Sequence, residues 1–206
     1  MGKFTLEEVN DMYIDVLREI GNIGSGNATT AIASLLGVKL DMKVPKVQLM
    51  DAADLGGSIC PEDEVIVGIL LGVSEDIDGS MMFLLKMDCA HHLVNRMMMR
   101  DPNYSEPFDE MDLSALQEVG NIIAGSYLNA LATLTNMKIV PTVPYLSVDM
   151  AASILSVPAI QFGIMGDNAL MIETEFGDDS MINGYFILMP EADSYDKILR
   201  ALGLPV

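Results

Sequence analysis

The stretch Leu17-Arg-Glu-Ile-Gly-Asn-Ile-Gly-Ser-Gly-Asn-Ala-Thr-Thr-Ala31 spaces its apolar residues as a helix does, yet carries three glycines, Gly21, Gly24 and Gly26. Each glycine in a helix costs about 1 kcal/mol relative to alanine. The stretch is also written twice. Shifted by 99 positions it falls on Leu116-Gln-Glu-Val-Gly-Asn-Ile-Ile-Ala-Gly-Ser-Tyr-Leu-Asn-Ala130, and between residues 17 and 53 the shift pairs identical residues at 14 of 37 positions without a gap. Chance alone would give about two such matches, so the chain contains an internal duplication.

The duplication organises the whole sequence. Repeats of about 5–99 and 112–203 flank a linker at 100–111 that is rich in Pro, Asp and Glu, and 1–206 reads as a single domain. In the first repeat Thr5 and Glu8 have capping-box spacing, and a 3.6-residue period then runs to about Leu36. Val44-Pro45 begins an extended segment, and the run Val65–Val73 reads as a buried strand. A turn and strand follow at 76–86, and Asp88 is expected to cap a Met-rich helix ending near Met99. The second repeat is expected to hold a helix from about 112 to 135, strands at 143–148, 159–165, 168–175 and 182–189, and a helix at 194–202. The predicted fold is α/β (α+β): a pseudo-twofold duplicated domain whose largely antiparallel sheet is covered by two long helices.

Composition narrows the function. The 206 residues carry 30 acidic against 11 basic side chains, a net charge of −19. A field of that sign repels phosphate backbones and anionic lipid, which argues against nucleic acid and membrane surfaces as partners. The longest apolar run has nine residues, too short to span a bilayer. The start of the chain turns acidic within seven residues, unlike a secretory signal. Cys60 and Cys89 form no short-spaced pair, which suits a reducing cytoplasm.

Within the repeat, Glu19 and Asn22 lie three residues apart and so on one helix face, as do Glu118 and Asn121. A carboxylate beside a carboxamide can grip a polar ligand or orient a water. Such residues ordinarily form a solvated face. Neighbouring positions differ between the copies, however (Arg18 against Gln117, Asn27 against Ser126, Thr30 against Asn129), while Glu and Asn are kept. Gly21 and Gly26 are kept too, as Gly120 and Gly125, and small residues there admit a neighbouring helix or a partner. His91 and His92 are adjacent, point about 100° apart on a helix, cannot form an i, i+4 metal pair, and are expected to be exposed. Met97-Met98-Met99 is expected to fill the core. Gly21–Gly26 follows no strand, which disfavours a nucleotide-binding loop.

The doubled Glu-x-x-Asn in Glu19–Ile32 and Glu118–Leu131, together with the paired Val44-Pro45 and Val143-Pro144, resembles the CheC family of chemotaxis phosphatases. The resemblance covers essentially the whole chain. It implies a cytoplasmic enzyme that hydrolyses the aspartyl phosphate of a CheY-type response regulator. Asn22 and Asn121 would orient the attacking water, and Glu19 and Glu118 would contact the regulator's active-site lysine. The Mg²⁺ would be the regulator's, with no metal or cofactor held by this chain. The resemblance further implies a CheD-type receptor deamidase as a second partner, with Val148–Leu155, and Asp149 above all, as the contact; otherwise Asp149 merely caps the helix that follows it. It also explains the glycines as keeping the helix surface low where it enters a partner's pocket. The competing class is a non-catalytic interaction module of the chemotaxis or flagellar-switch apparatus, which would need neither Glu-Asn pair.

Overall fold

The computed structural model describes residues 11–43, 46–51, 55, 59–162, 168–177 and 181–204. The Thr5–Glu8 cap and the Val44-Pro45 pair lie outside them. Helix α1 (Asp11–Leu36) is followed by strands β1 (Asp41–Met42), β2 (Lys46–Asp51), β3 (Val65–Glu75) and β4 (Gly79–Lys86) and by α2 (Met87–Met97). The second half holds α3 (Glu110–Thr135), β5 (Ile139–Pro141), β6 (Tyr145–Met150), α4 (Ala151–Phe162), β7 (Asn168–Gly177), β8 (Met181–Pro190) and α5 (Ala192–Ala201).

The eight strands among the described residues join one sheet, in the order β1-β7-β8-β4-β3-β5, with β2 also on β7 and β6 also on β3. Every pairing among the described residues is antiparallel. The repeats therefore exchange their edges: the first repeat's β1 and β2 pair with the second repeat's β7, and β5 and β6 pair with the first repeat's β3. At the centre β4 pairs with β8, bringing Phe83 opposite Phe186. These residues stand 103 positions apart, as do Val65 and Asn168, which open β3 and β7. The pseudo-twofold axis accordingly passes between β4 and β8.

The unbroken apolar runs reflect burial on both faces of the sheet. Val67, Ile69, Leu71 and Val73 of β3, with Met81, Phe83 and Leu85 of β4, face α1, α2 and α3. The alternate residues Ile66, Leu70, Met82 and Leu84 face Ala151 and Ile154 of α4 on the other side. Two long helices thus cover one face as expected, and α4 covers part of the second.

Some boundaries differ from expectation. Residues 159–162 close α4 and do not form a strand. Ala151, Ile154 and Leu155 follow an i, i+3, i+4 pattern that packs onto the sheet, and the first free N–H groups of α4 find acceptors, Ala151 donating to Glu64 O at 2.8 Å and Ala152 to Glu62 O at 3.0 Å. An apolar run of this length fits either period, and the packing decides. Asp88 does not cap α2; Lys86 holds that position and Asp88 lies inside the first turn, where its carboxylate accepts from the Cys89 N–H. Helix α3 starts at Glu110, with Asp109 as its cap: the Asp109 carboxylate accepts from the Asp112 N–H, and Asp112 accepts in return from the Asp109 N–H. Arg100, in the linker, closes on this turn, 2.7 Å from the buried carboxylate of Asp112 and 5.1 Å above the Tyr104 ring.

Candidate functional site

Both Glu-x-x-Asn pairs lie in the middle of a 26-residue helix. In α1, Leu17 and Ile20 are buried in the core, which turns Glu19 outward to solvent and leaves Asn22 half-buried at the rim. In α3, Leu116, Val119 and Ile123 are buried, and Glu118 and Asn121 are both exposed. Neither carboxamide is sunk into the core, so each can meet a ligand from solvent.

The glycines fall into two groups. A Cβ on Gly24 would stand 2.3 Å from Cδ1 of Tyr127, and one on Gly120 would stand 2.6 Å from Cδ1 of Ile69. These two admit α3 and the sheet; they do not face a partner. Tyr127 is 2% exposed, stacks on Phe186 with centroids 4.0 Å apart, and shares a hydrogen bond with Ser25. Under the 99-residue shift, Gly24, Ser25 and Ala28 become Ile123, Ala124 and Tyr127. The pseudo-symmetric helices therefore meet asymmetrically, a notch in α1 receiving a ring from α3. Gly26 and Gly125 are different: a Cβ on either would meet nothing within 4 Å. Each lies one turn beyond its asparagine, on the same helix face. The explanation by low surface relief fits Gly26 and Gly125.

The second pair borders an open groove of about 580 Å³ that includes Glu118 and Asn121 in its lining. Met97 and Met98 come from the end of α2, Met111 from the first turn of α3, and Val143 and Pro144 from the β5–β6 connection. The Gln117 side chain donates to the Pro144 carbonyl and ties that connection to α3. The expectation that Met97–Met99 fill the core is therefore corrected. Met97 and Met98 pack only partly against the core, and Met99, at a positive φ of 53° after the helix ends, is 95% exposed. The signal in the sequence was the repeat itself, since Met111 and Val143 copy Met12 and Val44.

The remaining candidates are placed as follows. His91 and His92 are half-buried, contrary to expectation. His91 stacks on Phe108 with centroids 4.2 Å apart, and burial, followed by the Arg96 charge, holds the His92 imidazolium below the ordinary histidine range. Burial is also the largest cause raising the Cys60 and Cys89 thiols, which disfavours thiolate chemistry at neutral pH. Asp149 is exposed on β6, two residues before α4 begins, and its carboxylate accepts the Met150 N–H at 2.7 Å; α4's leading N–H groups are taken by the carbonyls of Glu62 and Glu64 instead. No helix among the described residues is long and apolar enough to cross a membrane.

An internally duplicated helix-on-sheet protein with one outward Glu-x-x-Asn pair per repeat is thus defined by fold and site together. Comparison with known proteins places it: the CheC-like family profile matches residues 12–49 and 111–148, spanning each long helix and its following edge strands. The chain belongs to the CheC-like family. It is 35% identical to the CheY-P phosphatase CheC of Bacillus subtilis over 201 residues, covering 95% of this chain and 96% of that protein. It is 28% identical to the flagellar motor switch phosphatase FliY of the same organism, over 65% of this chain and only 35% of the longer FliY. Its fold is that of Thermotoga maritima FliY, with a TM-score of 0.79 at 20% identity over 95% of this chain and 98% of that one.

Proposed function

We propose that this chain is a phosphatase that hydrolyses the aspartyl phosphate of a CheY-type response regulator in the cytoplasm. The observation that carries the proposal is the outward placement of two Glu-x-x-Asn pairs in a chain 35% identical to a CheY-P phosphatase over nearly its full length. The roles are those the family resemblance implies, and charge supports them. A carboxylate close to a phosphoryl dianion is repelled, so Glu19 and Glu118 act by accepting the ammonium of a regulator lysine beside the phosphate. A neutral carboxamide meets no such repulsion. Asn22 and Asn121 can accept a hydrogen bond from water through Oδ1 while Nδ2 donates one to a phosphoryl oxygen, holding the water in line with the bond to be broken. Phosphoryl transfer gains most of its acceleration from such positioning. The regulator's own Mg²⁺ would neutralise the leaving carboxylate, and this chain would supply no metal or cofactor. Added to a phosphorylated CheY-type regulator, the protein should speed phosphate loss well above spontaneous decay; an unchanged decay would contradict the proposal.

A CheD-type receptor deamidase is the second partner proposed, at β6. Asp149 is exposed there between Val148 and Met150, which are themselves 37% and 48% exposed. Asp149→Ala should abolish co-purification with the deamidase and leave phosphate release intact. Undiminished co-purification would remove Asp149 from that contact. The non-catalytic alternative has only the fold in its favour.

A further inference from the structure

The groove beside Glu118 and Asn121 presents apolar side chains where a soluble surface ordinarily presents polar ones. Val143 is 85% exposed and Met111 64% exposed, and each belongs to the same groove as the Glu-Asn pair. A second groove adjoins it through Ser114, Gln117 and Pro144, and adds Tyr145, 63% exposed, and Glu110. Apolar surface gathered in one place and rimmed by polar groups marks an interaction site, and methionine and tyrosine are enriched at interfaces. The methionines give a floor that adapts to the occupant's shape. The rim is acidic, with Glu118 and Glu110, on a chain of net charge −19.

We infer that this groove is a docking subsite for the response regulator, taking a segment of the regulator that presents an apolar side chain next to a basic one. The inference rests on the phosphatase reading, because continuity with Glu118 and Asn121 is what assigns the groove to that partner. The Gln117–Pro144 hydrogen bond holds one wall in place before the partner arrives. Apolar contact here secures the complex, and Glu118 and Asn121 are brought to the regulator's active site as a consequence.

The test is a binding titration with a CheY-type regulator activated by beryllofluoride, a stable mimic of its phosphorylated form. The variant Met111→Ser/Val143→Ser alters two exposed side chains and should keep its circular-dichroism spectrum and melting temperature. Its Kd should rise about tenfold or more, the scale on which central apolar contacts act at interfaces. Leu134→Ser, a comparable change on the far end of α3, should leave Kd unchanged. An unchanged Kd for the double variant, an equal loss for Leu134→Ser, or failure of the parent protein to bind the activated regulator would each overturn the groove assignment. Phosphate release by the parent protein is measured separately: its absence would remove the phosphatase reading, while a Kd that still depended on Met111 and Val143 would leave the groove as a regulator-binding site.

Discussion

Gly24 and Gly26 are two residues apart and have opposite consequences. At Gly24 an added methyl group meets the ring of Tyr127, which cannot yield because it is buried and stacked on Phe186. Overpacking of this kind costs about 1–3 kcal/mol, more than the roughly 1 kcal/mol that alanine gains in helix propensity. Gly24→Ala should therefore lower the unfolding midpoint in urea. Gly26→Ala meets open space and should raise stability by about 0.4–1 kcal/mol. If Gly26 serves the approach of the regulator past Asn22, the same variant should bind the regulator more weakly. A destabilised Gly26→Ala, or a stabilised Gly24→Ala, would show that the helix contacts are misassigned. The residue scale is also where the sequence was hardest to read. Glycines facing a ring and glycines facing solvent look alike in one dimension, and only the pairing of α1 with α3 separates them. Glu19, Asn22, Glu118 and Asn121 were legible because the duplication repeated them at one spacing among neighbours that differ.

At the scale of elements, the long helices and the buried strands could be read from period and length, but their ends could not. Helix ends depend on which group satisfies the free N–H groups, and those partners can lie far along the chain. Helix α4 shows this: its leading donors use carbonyls of Glu62 and Glu64, nearly ninety residues earlier. Helix α3 is the contrary case, capped locally by Asp109 and Asp112. Asp109→Ala removes the acceptor for the Met111 and Asp112 N–H groups and should cost about 0.5–2 kcal/mol. The change lies more than two turns from Asn121, so phosphate release at saturating regulator should persist at temperatures where the variant is folded. A stability change within error on thermal melting would show that the Arg100–Asp112 ion pair alone secures this helix start.

For the whole molecule, the exchange of edge strands is the decisive feature, and it was not visible in the sequence. A duplication of 99 residues suggests two similar units, each complete in itself. The sheet instead gives each repeat's edge strands to the other repeat, and the central β4–β8 pair joins them. Residues 1–105 or 106–206 alone should therefore lack partners for β1, β2, β5 and β6 and expose the apolar faces of β3 or β7. Neither fragment should unfold cooperatively by itself, whereas mixing the two should restore a sigmoidal transition. A cooperative transition in either isolated half would contradict the account of the fold. The same architecture puts two Glu-Asn pairs on one molecule, which makes the function testable by removing them one at a time.

In the proposed mechanism Asn22 and Asn121 each position a water for attack on a regulator's aspartyl phosphate. The most direct measurement is a phosphate-release time course, with the phosphorylated regulator, for Asn22→Ala, Asn121→Ala and the double variant. Both residues lie at or near the surface, so all three proteins should melt like the parent. Each single variant should retain the activity of its intact site, and the double variant should fall to the regulator's spontaneous rate while still binding the regulator. Full activity in a folded double variant would contradict the claim.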